Sequence, residues 1–317
     1  MRNQEVAFYS EGARISALWR TPDTPEGRLR AIVQGPGWLG LKDARLYLRY
    51  HEALTAAGFG VLIFDYRGFG DSGGDPRLLS LQGQLRDLIN AVTYLTTRDD
   101  VDDDAIGAFG TGGTGGGNAI LLAGTDPRIR AVVSQVPIAD GTDWLKRMRS
   151  EQEWIAFLQS LDKDRRQRVV TGEGRLVDPR EEIMVSTTER RSLAVKADVE
   201  ERIPTTVSLA AADEILAYRP VEAAAQLTVP LLVIGVENDA VTPTDHAVRL
   251  YEAARGPRAL IMQRHTTHYA AYDRYWTAVT PRIVDWFRRY LRGGEVMVRT
   301  TTDTTESMEW LEGTSGD

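Results

Sequence analysis

The chain contains no cysteine among its 317 residues. This absence excludes disulfides and thiolate nucleophiles, and it removes the ligands of most structural zinc sites. Basic residues are fewer than acidic ones, since the chain has 38 Lys and Arg and 45 Asp and Glu. Nucleic-acid and anionic-membrane surfaces bind clustered Lys and Arg, so we expect neither partner. No segment is apolar for the length of a membrane span or resembles a signal peptide, and a cytoplasmic protein is therefore expected.

Short apolar runs alternate along the chain with longer segments of helical periodicity. Near-continuous apolar runs are typical of strands buried on both faces. Such runs occupy residues 30–35, 60–66, 105–110, 129–137, 229–235 and 259–264. Segments with apolar residues three and four apart lie between several of them, as expected of helices. The pattern predicts an α/β fold with a mostly parallel, doubly wound sheet.

One connection is much longer than the others. Roughly ninety residues separate the run ending near Pro137 from the run starting at Val229, whereas loops in α/β proteins take about 2–6 residues. Apolar spacing within this segment is helical, and Asp178-Pro179 is typical of a helix start. We therefore predict a helical cap inserted before the next strand. The predicted organisation is a core at 1–138 and 227–292, a cap at 139–226 and a polar C-terminal tail at 293–317.

Three loops that follow predicted strands carry polar or unusual residues. The stretch "FGTGGTGGGNA" (109–119) follows one strand, Asp239 follows another, and His265 and His268 follow the last. Open α/β sheets bind ligands outside the carboxyl ends of their strands, so these loops are expected to converge. Their order is glycine turn, acid, histidine. In α/β-hydrolases the nucleophile, acid and base follow one another in the same order.

Three segments carry a resemblance to the α/β-hydrolase superfamily. "VLIFDYRGFGDSGG" (61–74) resembles its strand-and-turn segment, "VPLLVIGVENDAVTP" (229–243) its acid-bearing segment, and "HTTHYAAY" (265–272) its histidine loop. The likeness covers most of residues 5–292 and is greatest to the esterase, peptidase and dienelactone-hydrolase-like branch. It implies an α/β-hydrolase fold, with His268 as general base and Asp239 orienting its imidazole.

The resemblance also implies an oxyanion hole and a substrate pocket. One donor would be the backbone N–H of Gly113, and the other would come from Gly37 or Trp38, because Pro36 has no N–H. Aromatic side chains of the cap would form an apolar pocket. The aromatic residues considered for its wall, together with Trp38, are Trp144, Trp154 and Phe157.

The chain departs from the family at the nucleophile. The family motif G-x-S-x-G places its serine on Gly112, which has no hydroxyl to attack a carbonyl. The chain is then either an inactivated variant or an enzyme that uses His268 and Asp239 directly, as a base for water or for a substrate proton. The second alternative would be a lyase, a decarboxylase or a C–C bond-cleaving enzyme rather than an esterase. A non-catalytic ligand-binding relative is a third possibility. A fourth would use Thr111 or Thr114 as nucleophile, although neither occupies the tip of the turn.

The same glycine turn also fits another class of protein. "GTGGTG" (110–115) satisfies the G-x-G-x-x-G pattern of dinucleotide-binding proteins, but several strands precede it, whereas that pattern normally opens the first βαβ unit. A dinucleotide-binding protein stays open as an alternative from another class, while the favoured interpretation predicts no cofactor and no metal. The cap arginines Arg147, Arg149, Arg190 and Arg191 receive no role, and neither do His51 and His246. The expected activity is hydrolysis of a small ester, amide or activated C–C bond, in a chain that could form a homodimer.

Overall fold

The computed structural model describes residues 1–188, 199–291 and 307–312. Its strands are β1 (Arg2–Ser10), β2 (Ala13–Thr21), β3 (Leu29–Gly35), β4 (Gly60–Phe64), β5 (Val101–Thr111), β6 (Ile129–Gln135), β7 (Leu176–Val177), β8 (Val207–Ser208), β9 (Leu231–Val236), β10 (Arg258–Arg264) and β11 (Ser307–Glu312). Nine of these described strands form one sheet in the order β1-β2-β4-β3-β5-β6-β9-β10-β11. The first two pairings in that order are antiparallel and the rest are parallel.

The sheet has helices between its parallel strands, which confirms the predicted mostly parallel, doubly wound α/β architecture. The described helices are α1 (Arg45–Ala56), α2 (Leu81–Thr96), α3 (Gly113–Thr125), α4 (Gly141–Arg147), α5 (Glu151–Thr171), α6 (Ala211–Leu216), α7 (Pro220–Ala224), α8 (Thr244–Ala253), α9 (His268–Asp273) and α10 (Trp276–Tyr290). None of them is both long enough and apolar enough to cross a membrane.

Two strands of the sheet, β4 and β9, are buried along their whole length. Every residue of β4 and of β9 is buried, which explains why these strands appear in the sequence as unbroken apolar runs. The hairpin of β1 and β2 turns at Glu11 and Gly12, both with positive φ. It extends the sheet at one edge.

The long connection between β6 and β9 contains most of the short elements. It holds α4, α5, the β7–β8 pair, a π-helical turn (Pro179–Ile183), a 3-10 turn (Glu200–Arg202), α6 and α7. The longest of these helices, α5, starts at a capping box of Ser150 and Glu153 and ends at Gly172, whose φ is 78°. The described residues of this connection thus contain several helices, and the cap at 139–226 stays a prediction.

Two of the arginines named in the sequence analysis, Arg190 and Arg191, lie outside the described residues, and so does most of the predicted polar tail. Of the predicted polar tail at 293–317, the structure describes β11, which pairs in parallel with β10 and extends the sheet.

Candidate active site

The loops at the carboxyl ends of the central strands have unusual backbone conformations. Gly112 follows β5 with a φ of 79°. Four non-glycine residues with positive φ follow β3, β6, β9 and β10, and these are Leu39, Val136, Asn238 and His265. Such conformations cost about 1–3 kcal/mol each and concentrate at functional sites. The strained backbone therefore marks the edge of the sheet where the sequence placed the site.

A buried histidine–aspartate pair lies at this edge. His268 is the first residue of α9, and its Nδ1 lies 2.7 Å from Oδ2 of Asp239 in the loop after β9. Only 3% of the His268 side chain and 1% of the Asp239 side chain are exposed. The two residues that the resemblance paired are thus in contact, although 29 positions separate them.

Further donors hold the Asp239 carboxylate. It accepts hydrogen bonds from the backbone N–H of Val241 at 2.7 Å, the N–H of Thr242 at 2.9 Å and the Thr242 hydroxyl at 3.0 Å. Burial alone would raise the pKa of Asp239, but His268 and these N–H donors hold that pKa below its ordinary value. An ionised Asp239 fixes the imidazole through Nδ1, so that Nε2 is the nitrogen on the opposite side of the ring.

Gly112 forms the turn between β5 and α3. Its φ of 79° and ψ of 163° lie in a region that is almost exclusive to glycine. A Cβ placed there would have Gly37 Cα at 3.7 Å as its nearest neighbour. The position therefore has room for a side chain, but its backbone is strained for any residue other than glycine.

The neighbouring glycines are required by close packing. A Cβ on Gly110 would clash with the carbonyl oxygen of Gly115, and one on Gly113 would lie 2.7 Å from Ile138 Cδ1. A Cβ on Gly115 would lie 3.0 Å from Gly37 Cα. Close approach of α3 to β5 and to the loop after β3 thus accounts for a glycine pattern that also resembles a dinucleotide motif.

A small cavity of about 50 Å³ lies where these loops meet. Gly112, Gly113 and His268 line it, so the glycine turn and the histidine loop share one space. Its described lining residues are Gly37, Trp38, Leu46, Tyr47, Thr111, Gly112, Gly113, Thr114, Trp144, Arg180, Met184, Val241, Thr242, His268 and Tyr269. The β6–β9 connection covers the cavity on one side, through Trp144, Arg180 and Met184.

The aromatic residues considered for the pocket divide into two groups. Trp38 and Trp144 line the cavity with their rings edge to face, 6.1 Å apart, and the Trp144 indole donates to the Val241 carbonyl at 2.8 Å. The structure does not bring Trp154 and Phe157 to this cavity. They lie on α5, pack against each other at 5.8 Å, and Arg149 covers the Phe157 ring.

The loop after β3 is joined to the site by a tyrosine that the sequence reasoning did not select. The Gly37 N–H, one candidate oxyanion donor, donates to the Tyr47 hydroxyl at 3.1 Å. Burial raises the pKa of Tyr47, which therefore stays neutral. Gln34 donates to Thr111 on the same side of the turn at 3.4 Å. The helical spacing around Tyr47 indicates a buried helix face, and nothing in the sequence distinguishes this tyrosine from a core residue.

The sequence reasoning also missed Thr242 and Arg180. Thr242 follows Asp239 by three positions, and both its N–H and its hydroxyl bind that carboxylate. Arg180 directly follows Asp178-Pro179, a pattern that indicates a helix start and gives no sign of a nearby cavity. Two other arginines of the β6–β9 connection bind residues outside the cavity. Arg147 pairs with Asp143 and Asp245, and Arg149 donates to backbone carbonyls.

One cluster has the composition of a metal site. Ligand atoms of Asp143, Asp245 and His246 lie within 4.8 Å of one another. Arg147 and Arg249 already pair with these carboxylates, and His246 Nδ1 accepts the Ala139 N–H at 3.1 Å. With Nδ1 used as an acceptor, the proton of a neutral His246 sits on Nε2, which faces Asp143. The cluster is therefore an ion-pair network whose ligand atoms are already committed.

Comparison with known proteins adds a family and a fold. A model of the X-Pro dipeptidyl-peptidase (S15) family matches residues 11–270. An uncharacterised 31.7 kDa protein of the traX-finO intergenic region of Escherichia coli is 30% identical over 274 residues, which cover 84% of this chain and 94% of that protein. The quorum-quenching protein AidA of Acinetobacter baumannii (strain MDR-ZJ06) is 38% identical over 138 residues, or 43% of this chain and 44% of AidA.

A solved structure supports the fold. The α/β hydrolase GrgF from Penicillium sp. sh18 superposes with a TM-score of 0.75 at 20% identity, covering 92% of this chain and 99% of GrgF. The α/β-hydrolase fold expected from the sequence is thereby confirmed.

Proposed function

Because the chain belongs to the X-Pro dipeptidyl-peptidase (S15) family of the α/β-hydrolase superfamily, we propose that it hydrolyses a small ester or similarly activated acyl compound with water as the nucleophile. His268 would be the general base and Asp239 the residue that positions it. Gly112 would provide space for the attacking water. No covalent intermediate would form at residue 112, since glycine has no side-chain nucleophile.

The observation that carries this proposal is the open space in front of Gly112, in a cavity that His268 also lines. A cavity needs only about 10–15 Å³ to hold one water molecule, so about 50 Å³ can admit a water beside a small group. The preserved contact between His268 and Asp239 supplies a base oriented through Nδ1. Water activation therefore needs no further side chain at the turn.

The proposed reaction has one addition and one elimination. As the water oxygen bonds to the acyl carbon, His268 Nε2 takes one water proton, and the carbonyl oxygen becomes an oxyanion. The Gly113 N–H would stabilise that oxyanion, and the Gly37 N–H would join it by exchanging its present acceptor, the Tyr47 hydroxyl, for the oxyanion. The bond to the leaving alcohol then breaks, and the imidazolium returns the proton to the leaving oxygen.

Cavity size supports a small substrate. Pockets for drug-sized ligands measure about 300–1,000 Å³, several times more than the space here. A short acyl group fits this limit better than the extended peptide suggested by the family's peptidase name. Trp38 and Trp144 provide an apolar wall for such a group.

A second candidate is a covalent serine hydrolase whose nucleophile has been replaced. A Cβ on residue 112 would lie 3.7 Å from Gly37 Cα, which favours this candidate. A serine would fit there if the strain in its backbone were compensated elsewhere in the fold. Under this candidate the present chain binds its substrate without turning it over. A lyase or decarboxylase reaction would use the same His268 base on a substrate proton.

The two candidates differ in what residue 112 must supply. We would assay a panel of chromogenic short-chain esters and thioesters with the chain as given, with Gly112→Ser and with Gly112→Ala as the matched control. The proposal predicts turnover by the present chain and no gain from Gly112→Ala. Activity confined to Gly112→Ser would support the second candidate. If none of the three proteins hydrolysed any of the esters or thioesters, both hydrolytic candidates would be contradicted and a binding protein would be favoured.

A further inference from the structure

A second, larger space lies beside the cavity. Its volume is about 540 Å³, and α4 with the residue that ends it, the segment 185–187 and the stretch 239–245 contribute to its lining. Arg147 and Asp245, two of these lining residues, form an ion pair at 2.7 Å with 47% and 46% of their side chains exposed. The larger space therefore reaches the surface of the molecule, and its volume falls within the range of ligand pockets, about 300–1,000 Å³.

A thin wall separates the two spaces. Among the residues that the structure describes, Trp144 and Val241 are the two that line both of them. Further along the β6–β9 connection, Met184 lines the cavity and its neighbour Val185 lines the larger space. One indole ring and short stretches of chain thus stand between a space for a few atoms and a space for a long substrate.

The indole in this wall is held in place. Trp144 is 1% exposed, its Nε1 donates to the Val241 carbonyl at 2.8 Å, and its ring packs edge to face on Trp38. The Val241 N–H in turn donates to the Asp239 carboxylate at 2.7 Å. Moving the ring aside would leave a buried N–H without its acceptor, which is costly. The fold therefore favours a closed wall that is joined to the loop of the candidate acid.

We propose that Trp144 is a specificity-determining residue that limits the length of the acyl chain by closing the cavity toward the larger space. This inference rests on the proposed function for the reacting acyl group and adds the substrate class, which is short acyl groups. A short chain ends at the indole, whereas a longer chain would have to pass through it. Removal of the indole joins the two spaces and gives the longer chain apolar contacts with Met148 and Val185.

Binding of two ketones tests this limit without requiring turnover. Pentan-2-one and octan-2-one keep the carbonyl of an ester and have no leaving group, and the second has the longer chain. Ligand-observed NMR titrations give their dissociation constants. We expect the present chain to bind octan-2-one about tenfold more weakly than pentan-2-one, because the indole obstructs the longer chain. Trp144→Ala should bind octan-2-one about tenfold more tightly than the present chain does, because the additional methylenes become buried.

Three further variants separate the bulk of the indole from its other effects. Trp144→Phe keeps a ring in the wall without the hydrogen bond to Val241, and it should retain the preference for pentan-2-one. Val241→Ala thins the same wall and should strengthen octan-2-one binding several-fold, so the limit can be tested even if Trp144→Ala does not fold. Trp286→Ala is the matched control, since Trp286 packs on Tyr290 within α10 and lines neither space, and it should change neither dissociation constant.

Several results would overturn the proposed limit. The present chain might be found to bind octan-2-one as tightly as pentan-2-one, or to bind neither ketone. The preference for pentan-2-one could persist undiminished in Val241→Ala and in folded Trp144→Ala, or Trp144→Phe could lose it as fully as Trp144→Ala. None of these measurements depends on turnover. A chain that binds the ketones in the expected order and hydrolyses no ester would contradict the proposed function alone.

Discussion

The described part of the chain contains two histidine–aspartate pairs, and one of them has the surroundings of a catalytic pair. His268 Nδ1 lies 2.7 Å from Asp239, and His246 Nε2 lies 2.9 Å from Asp143. Both imidazoles are buried, and each joins an element near the sheet to a residue distant in sequence. Distance and burial alone do not distinguish the two pairs.

The surroundings of the two rings distinguish them. His246 Nδ1 accepts the N–H of Ala139, so both of its nitrogens bind the protein and tie α8 to the start of the β6–β9 connection. The His268 ring lines a cavity, with Asp239 bound on its Nδ1 side. A histidine can exchange protons with a substrate only where its ring lines the space that the substrate enters. His268 lines the cavity and His246 does not, so we assign His246 a structural role and keep His268 as the candidate base.

The largest expected effect separates the two histidines in catalysis. His268→Gln should reduce kcat/KM for a substrate of the chain by about 10²–10⁴-fold, the usual contribution of a general base. His246→Gln should keep kcat/KM within a few-fold, because its side chain is absent from the cavity. Steady-state assays of both variants under one set of conditions measure the difference. Equal losses in both variants would remove the distinction.

Replacing the aspartate of each pair should separate the two pairs by nearly as large a factor in kcat. Asp239→Asn should also lower kcat by orders of magnitude, because an amide can donate to Nδ1 and so stabilise the wrong tautomer of His268. Asp143→Asn should leave kcat nearly unchanged. If Asp239→Asn proved fully active, His268 would not need Asp239 for its orientation, and the pair would lose its proposed role.

For stability we expect the opposite order: replacing His246 should reduce the free energy of unfolding more than replacing His268. His246→Ala leaves the buried Ala139 N–H and one side of Asp143 without their partner, at a cost of about 1–3 kcal/mol. His268→Ala should cost less, since Asp239 retains three hydrogen bonds from Val241 and Thr242. Urea unfolding of both variants measures the two free energies. A larger loss for His268→Ala would contradict the structural assignment of His246.

The smallest expected effect concerns acid pH. Burial lowers the pKa of His246 despite the opposing effect of Asp143 and Asp245, and Arg249 lowers it further. The unfolded chain therefore binds more protons than the folded one between the folded pKa and about 6.5, and stability falls as the pH falls through that window. His246→Gln should make the unfolding free energy less dependent on pH there. Burial also lowers the pKa of His51 well below its ordinary value. His51 therefore contributes the same pH dependence to the chain as given and to His246→Gln.

Much of the fold and the centre of the site could be predicted from the sequence because both depend on strand ends. Unbroken apolar runs located the buried strands, and the polar residues directly after them, Asp239 and His268, were placed by the topology of parallel sheets. The glycine turn was located in the same way. These features are local to the sequence, and the fold makes them meet.

Residues contributed by packing could not be found in this way. Arg180 reaches the cavity only because the β6–β9 connection folds back over the sheet, and Tyr47 only because α1 packs beside the loop after β3. Trp154 and Phe157 have the composition of a pocket wall but face each other on α5. The position of a helix face relative to a distant cavity is a tertiary property, which apolar spacing within one helix does not encode.

The most direct test of the central claim is the ratio of kcat/KM between the chain as given and His268→Gln, measured on one small ester or thioester that the present chain turns over. The account predicts a ratio of about 10²–10⁴, with Gly112 unchanged in both proteins. A ratio near one would contradict it, because turnover would then proceed without the base that the fold presents to the cavity.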